Sequence, residues 1–315
     1  MVQPSRSHLD AALAAAARSP LITGMIVTQP WRRLGSFIFL AALLLMVMIF
    51  AVAFAIAGIP GMRDQLGSPE PLPDGPLRLI DESLLVVMVG AILGAMALGI
   101  LLAAALTYRR PIRDFLWPGR RFDAGQLGSG FLAMACISIL LIPIYLAMGS
   151  EWAPPVLNPL YLDHTRLTYV LAMVVGLLVA AAAEEVVCRG VLLRLTGLVT
   201  RRPLVLCLIN GVVFSAIHMD PDPVSFLARA VSGGVWTWAA LRLGGLEFAI
   251  GAHLANNLVI ALFWEPFSQA AVSREAAWID LAPEVLTTVV MIIMIERVAR
   301  RYVDPADGLP ARPAP

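Results

Sequence analysis

Three short stretches put ionisable or amide side chains where the sequence is otherwise apolar. They are Ala181-Ala-Ala-Glu184-Glu185-Val-Val-Cys188-Arg189-Gly190, Phe214-Ser-Ala-Ile-His218 and His253-Leu-Ala-Asn256-Asn257. A charge at bilayer depth costs roughly 2.5–3.5 kcal/mol on insertion scales, so such groups mark a site by default. Helical spacing sorts them. Glu185 and Arg189 are i, i+4, the separation at which a carboxylate and a guanidinium meet, which assigns Glu185 to a structural ion pair and leaves Glu184 for chemistry. His253 and Asn257 have the same spacing and present an imidazole and an amide together. Asn210, Phe214 and His218 form one stripe, making Asn210 and Phe214 supporting residues, as is Asn256 beside Asn257.

A carboxylate and an imidazole on one water make a general base, and an imidazole N–H with an amide N–H can hold an oxyanion. Glu184 with His218, and His253 with Asn257, would then hydrolyse a peptide bond by water attack. The same residues admit a second reading, with Glu184, His218 and His253 as zinc ligands and Asn257 or Glu185 in support. A lone intramembrane histidine is as readily structural as functional. Six such groups on three helices point to function.

The elements that must position these groups are membrane helices. The chain has 315 residues, 59% hydrophobic and 14% charged, with a mean hydropathy of +0.80, which places it with polytopic membrane proteins. Its net charge of +1 gives no case for nucleic acid, and all 23 cationic residues are arginine. Cys136, Cys188 and Cys207 lie in or beside apolar runs and predict neither a disulfide framework nor a metal motif.

In order, the sequence predicts a cytoplasmic N-terminal segment (1–35) with a short interfacial helix at 11–17, then spans at 36–58, 83–108, 129–148, 167–201, 204–219, 224–243, 246–264 and 281–295. The first run is too long for a cleaved signal sequence and reads as a retained span. Loops with Asp64, Glu70 and Asp74, and with Glu151, Asp163 and His164, are polar; His8 and His164 read as solvated loop residues. The fourth run exceeds one bilayer crossing, so it should project or bend, with Arg189 to Arg202 lying partly at the interface. Arg229 should pair with Asp220 or Asp222, and Trp236 and Trp238 read as lipid-facing or packing residues. The tail, 304–315, reads as disordered.

Eight spans bring the N-terminal arginines, the 109–121 loop, the 194–202 turn, Arg242 and Arg297, Arg300 and Arg301 to one side. The positive-inside rule makes that side cytoplasmic, with both termini there. Glu184 precedes Arg201 by 17 residues and His218 follows it by 17, so a hairpin places both at equal depth, at most ~25 Å from the turn. Counting from Gly244-Gly245 places His253 ~13 Å and Asn257 ~19 Å into the membrane. The site should lie in the bilayer, nearer the cytoplasmic face.

The ordered set E-E-V-V-C-R (184–189), F-S-A-I-H (214–218) and H-L-A-N-N (253–257) resembles the E-E-x-x-x-R, F-x-x-x-H and H-x-x-x-N motifs of the CAAX-protease and bacteriocin-processing family (CPBP, or Abi), to which the prenyl-protein endopeptidases of the endoplasmic reticulum belong. Each motif alone is weak; three in order are strong. The resemblance covers about 167–264, and the segments 36–166 and 265–303 match by topology alone. It implies an α-helical intramembrane peptidase in which Glu184 and His218 activate water and His253 and Asn257 hold the oxyanion. Members are described both as metalloproteases and as metal-independent glutamate peptidases, and some bacterial members are linked to bacteriocin immunity or maturation. Val186-Val187-Cys188 departs from the bulkier aromatic or leucine expected near Arg189. The expected partners are the lipid bilayer and a peptide or lipidated protein, in a bacterial plasma membrane. The competing classes are a non-enzymatic immunity or peptide-binding protein and, disfavoured by the lack of internal repeats, a transporter.

Overall fold

Prolines punctuate the chain where its apolar runs begin. Pro20, Pro30, Pro203 and Pro223 each occupy a first-turn position, where the missing N–H has no helical acceptor to lose. The computed structural model describes residues 8–25, 27–58, 75, 77–150, 152–270 and 276–302. It contains no strand among these residues. Its helices are α1 (His8–Ala17), α2 (Pro20–Thr23), α3 (Pro30–Ala57), α4 (Arg78–Tyr108), α5 (Arg113–Leu116), α6 (Ala124–Ala147), α7 (Asp163–Glu185), α8 (Leu193–Gly197), α9 (Pro203–Ala216), α10 (Pro223–Leu243), α11 (Glu247–Phe263), α12 (Phe267–Ala270) and α13 (Leu281–Tyr302). The loop acids Asp64, Glu70 and Asp74, Glu151 and the 304–315 tail lie outside the described residues.

Each expected span coincides with a helix. By length and composition, five described helical segments suffice to cross a membrane: Pro30–Ala57, Arg78–Tyr108, Ala124–Ala147, Asp163–Gly197 and Trp278–Arg301. This is an integral membrane protein. The outward faces of these helices are correspondingly apolar, as at Phe39, Phe50, Phe54 and Leu140, because their solvent is lipid. α9 and α11 are apolar but have only 14 and 17 residues, or ~21 and ~26 Å, short of the ~30 Å hydrocarbon core.

Several local expectations change. The fourth run is continuous: α7 passes through a π-helical turn, Val186–Leu192, into α8, and Arg194 is buried. π-turns accommodate one extra residue per turn and concentrate at functional sites. The 11–17 piece belongs to α1, which packs on α9 and α10 and buries Ala16. His8 and His164, though exposed, lie in the first turns of α1 and α7 rather than in loops. α9 stops at Ala216, so His218 sits in the following turn, where Met219 takes a left-handed φ of 52° before Asp220. The three cysteines are free.

α11 is the central helix, packed on α6, α7 and α10; α7 also packs on α4, and α4 on α3. α10 packs on α9 and α13. The main apolar cluster joins α6, α9, α10, α11 and α13 through Met134, Phe214, Trp236, Phe248 and Met291. Close approach of α6 and α11 requires glycine on both: a Cβ at Gly251 would overlap the Leu127 carbonyl oxygen, and one at Gly130 that of Phe248. Small residues at helix crossings are the membrane counterpart of ridge packing. The turn into α11 uses Gly244 at φ 70°, whose N–H caps α10 at Ala240. Buried Glu247 then receives Arg120 on both oxygens, at 2.8 and 2.6 Å.

Candidate active site

Glu184 and Glu185 end the α-helical part of α7, and their 100° offset sends them different ways. Glu185 is fully buried. Its Oε1 accepts from Arg189 Nη1 at 3.0 Å, the predicted i, i+4 pair, and lies 3.1 Å from His253 Nδ1. Arg189 is also fully buried, donates from Nη2 to the Gly233 carbonyl at 2.7 Å, and lies over the rings of Phe214 and Trp236 at 4.6 and 5.5 Å. A charge pair taken out of water needs such further partners to offset its desolvation. The sequence reading of Glu185 as purely structural therefore missed its contact with His253, which comes from a helix 68 residues away.

Glu184 projects into a partly open space, its side chain 20% exposed. Its Oε2 is buried without a hydrogen-bond partner among the described residues. That oxygen lies 3.8 Å from His218 Nε2 and 3.8 Å from His253 Nε2, too far for direct hydrogen bonds. Both rings are oriented from behind: His218 Nδ1 is 2.8 Å from the Phe214 carbonyl and His253 Nδ1 faces Glu185. A carbonyl and a carboxylate only accept, so each Nδ1 carries a proton. Neutral rings would then turn two Nε2 lone pairs towards the bare Glu184 oxygen, an arrangement that calls for a guest or an added proton.

Aromatic side chains form the walls. Trp236 stacks on His253 at 4.5 Å and 26°, and Phe214 meets His218 edge-on at 4.9 Å. Trp236 thus packs in the site, a placement its apolar sequence context did not reveal. Asn257 follows His253 by one turn on α11 and accepts from Asn256 Nδ2 at 3.3 Å; both asparagines are half-buried. Asn210 bonds Thr196 Oγ1 and the Leu206 carbonyl, tying α9 to α8. Arg229 pairs with Asp220. The open edge is at Glu184 and His218, the latter 31% exposed, and the closed end at His253, Glu185 and Arg189.

For zinc, Glu184 Oε2 and the two Nε2 atoms are suitable donors, backed as zinc histidines usually are. Their 3.8 Å spacings exceed the roughly 3.3 Å edge of a tetrahedral site, and no group of three His, Cys, Asp or Glu among the described residues is arranged to hold a metal ion. At these two spacings Glu184 lies farther from each histidine than it would around a bound zinc ion.

Residues 166–259 match the family model described as Type II CAAX prenyl endopeptidase Rce1-like. The chain is also similar to the uncharacterized protein YyaK of Bacillus subtilis (strain 168), 29% identical over 174 residues that cover 52% of this chain and 56% of the relative. It therefore spans about half the length of the curated relative it matches. No solved structure matches. All three polar stretches fall inside the matched region, and over residues 166–259 the chain is similar to the Type II CAAX prenyl endopeptidase Rce1-like family.

Proposed function

We propose that the protein is an intramembrane endopeptidase that cleaves a membrane-associated or lipidated peptide with a water activated by Glu184 and His218. The observation that carries this reading is the partnerless Glu184 Oε2 with two imidazole Nε2 atoms at 3.8 Å. A water there donates one hydrogen to the carboxylate and one to His218 Nε2, which sharpens its lone pair for attack. Its oxygen bonds the scissile carbonyl carbon while a proton passes to the Glu184–His218 pair. The C–N bond then breaks as that proton reaches the leaving amine.

The oxyanion falls to His253 and Asn257, one helical turn apart on α11. His253 can donate from Nε2 while Nδ1–H serves Glu185 only as an imidazolium. The pairing of an imidazole with an amide suits an oxyanion hole better than zinc, for which amides are uncommon ligands. The site lies in a bacterial plasma membrane in this reading.

The test is proteolysis of a peptide library in detergent, wild type against Glu184→Ala, with product masses read. Products that vanish in the variant are expected; identical profiles would replace the peptidase with a peptide-binding or immunity protein. Asn257→Ala is expected to lower turnover by roughly 10²–10³ with little effect on substrate binding. Zinc present at one per active chain and lost together with activity on chelation would reassign Glu184, His218 and His253 as ligands.

A further inference from the structure

A cavity of about 330 Å³ lies at the arginine-bearing end of the bundle, between α2, α5 and α8, and shares no residue with the Glu184 cluster. Its charged lining residues are Arg110, Asp114 and Arg194, set among Met25, Phe115 and Pro118. Arg194 is 4% exposed and its guanidinium sits 5.3 Å from the Phe115 ring centroid. Its Nε and Nη2 are buried and have no acceptor among the described residues. Those two atoms form the edge of the guanidinium that takes two oxygens of an oxyanion side by side.

Four other buried or half-buried arginines among the described residues each have a carboxylate. Arg189 has Glu185, Arg120 has Glu247, Arg242 has Glu296 and Arg78 has Glu82. The charges acting on Arg194 are Asp114 and Arg110, and the Asp114 carboxylate already lies 3.9 Å from Arg113. Two guanidinium groups against one shared carboxylate leave the cavity short of negative charge. Its volume exceeds what a monatomic ion fills, and its apolar wall suits the uncharged remainder of an organic anion.

We infer that this cavity binds a phosphate group, either the headgroup phosphate of an anionic phospholipid or a soluble phosphate ester. The paired guanidinium groups are geometrically matched to phosphate oxygens, and the cavity sits where loop arginines 109, 110, 113, 120 and 121 gather. The full chain in detergent is to be assayed by native mass spectrometry with phosphatidylglycerol, and by thermal shift with inorganic phosphate and glycerol phosphate. Saturable binding at one per chain is expected, weakened at least roughly tenfold by Arg194→Gln and by Arg110→Gln but not by Arg201→Gln, outside the cavity. Retention of lipid without a response to soluble phosphates identifies the headgroup source, and the converse identifies a soluble ester. Arg110 is exposed, so its variant carries the comparison should Arg194→Gln fail to fold. Absence of saturable binding to every probe, or equal weakening by Arg201→Gln, overturns the assignment.

Discussion

Glu185 Oε1 receives the Arg189 guanidinium at 3.0 Å and faces the His253 ring at 3.1 Å, so one oxygen joins an ion pair to the ring proposed to hold the oxyanion. The two substitutions that disturb it should separate. Arg189→Ala leaves a buried carboxylate without its cation and is expected to cost about 3–5 kcal/mol, read as a lowered unfolding midpoint. Glu185→Gln keeps an acceptor for His253 but removes the negative charge beside its ring, so kcat should fall with KM little changed. A proportional rise in KM alone would mean that Glu185 shapes substrate binding and not the action of the His253 ring. Of this arrangement, the sequence showed what is local to one helix: the Glu185–Arg189 spacing, the separation of Glu184 from Glu185, the His253–Asn257 turn. It could not show the Glu185–His253 contact or the stacked Trp236, because each depends on how non-consecutive helices are rotated against one another, and a tryptophan in an apolar run reads equally as a membrane residue.

Helix boundaries were legible because Pro and Asp-Pro breakers end apolar runs for local steric reasons. The π-turn at Val186–Leu192 was not, since its residues have no composition that distinguishes it from an α-turn. Packing between helices is likewise hidden until both surfaces are known. Gly251 lies two residues before His253, and Gly251→Ala would force α11 away from α6 at Leu127. A loss of about 1–3 kcal/mol is expected, together with reduced activity as His253 shifts; an unchanged unfolding midpoint would show that the contact gives way freely. At the start of α10, Asp222 accepts from the Ser225 N–H at 2.6 Å, and that bond holds its carboxyl below the usual range. A depressed folded value means the cap's contribution is complete above the unfolded value of about 3.9 and is lost as pH falls through the folded one. The difference in unfolding midpoint between wild type and Asp222→Ala should therefore be constant from pH 7 to 5 and close below about pH 4. A gap unchanged at pH 3 would mean that the cap does not depend on ionisation.

Over the whole molecule, buried or bonded arginines draw the same ends of many helices together. Arg33 donates to the Thr107 carbonyl at 2.7 Å, joining the start of α3 to the end of α4. Arg120 bonds Glu247 and the Gly244 carbonyl, joining the loop before α6 to the turn between α10 and α11. Arg242 grips Glu296 with two bonds, at 2.8 and 2.7 Å, joining α10 to α13. Alternating arginine content along the chain thus corresponds to a physical end of the bundle, and a net excess of cations there favours the cytoplasmic leaflet. Two exposed positions test the orientation: Arg113, at the arginine-bearing end, and Asp163, at the start of α7. In a background with Cys136, Cys188 and Cys207 replaced by alanine, Asp163→Cys should react with a membrane-impermeant thiol reagent in intact cells, and Arg113→Cys only after permeabilisation. The reverse pattern would invert the chain in the membrane and turn the phosphate cavity away from the cytoplasm.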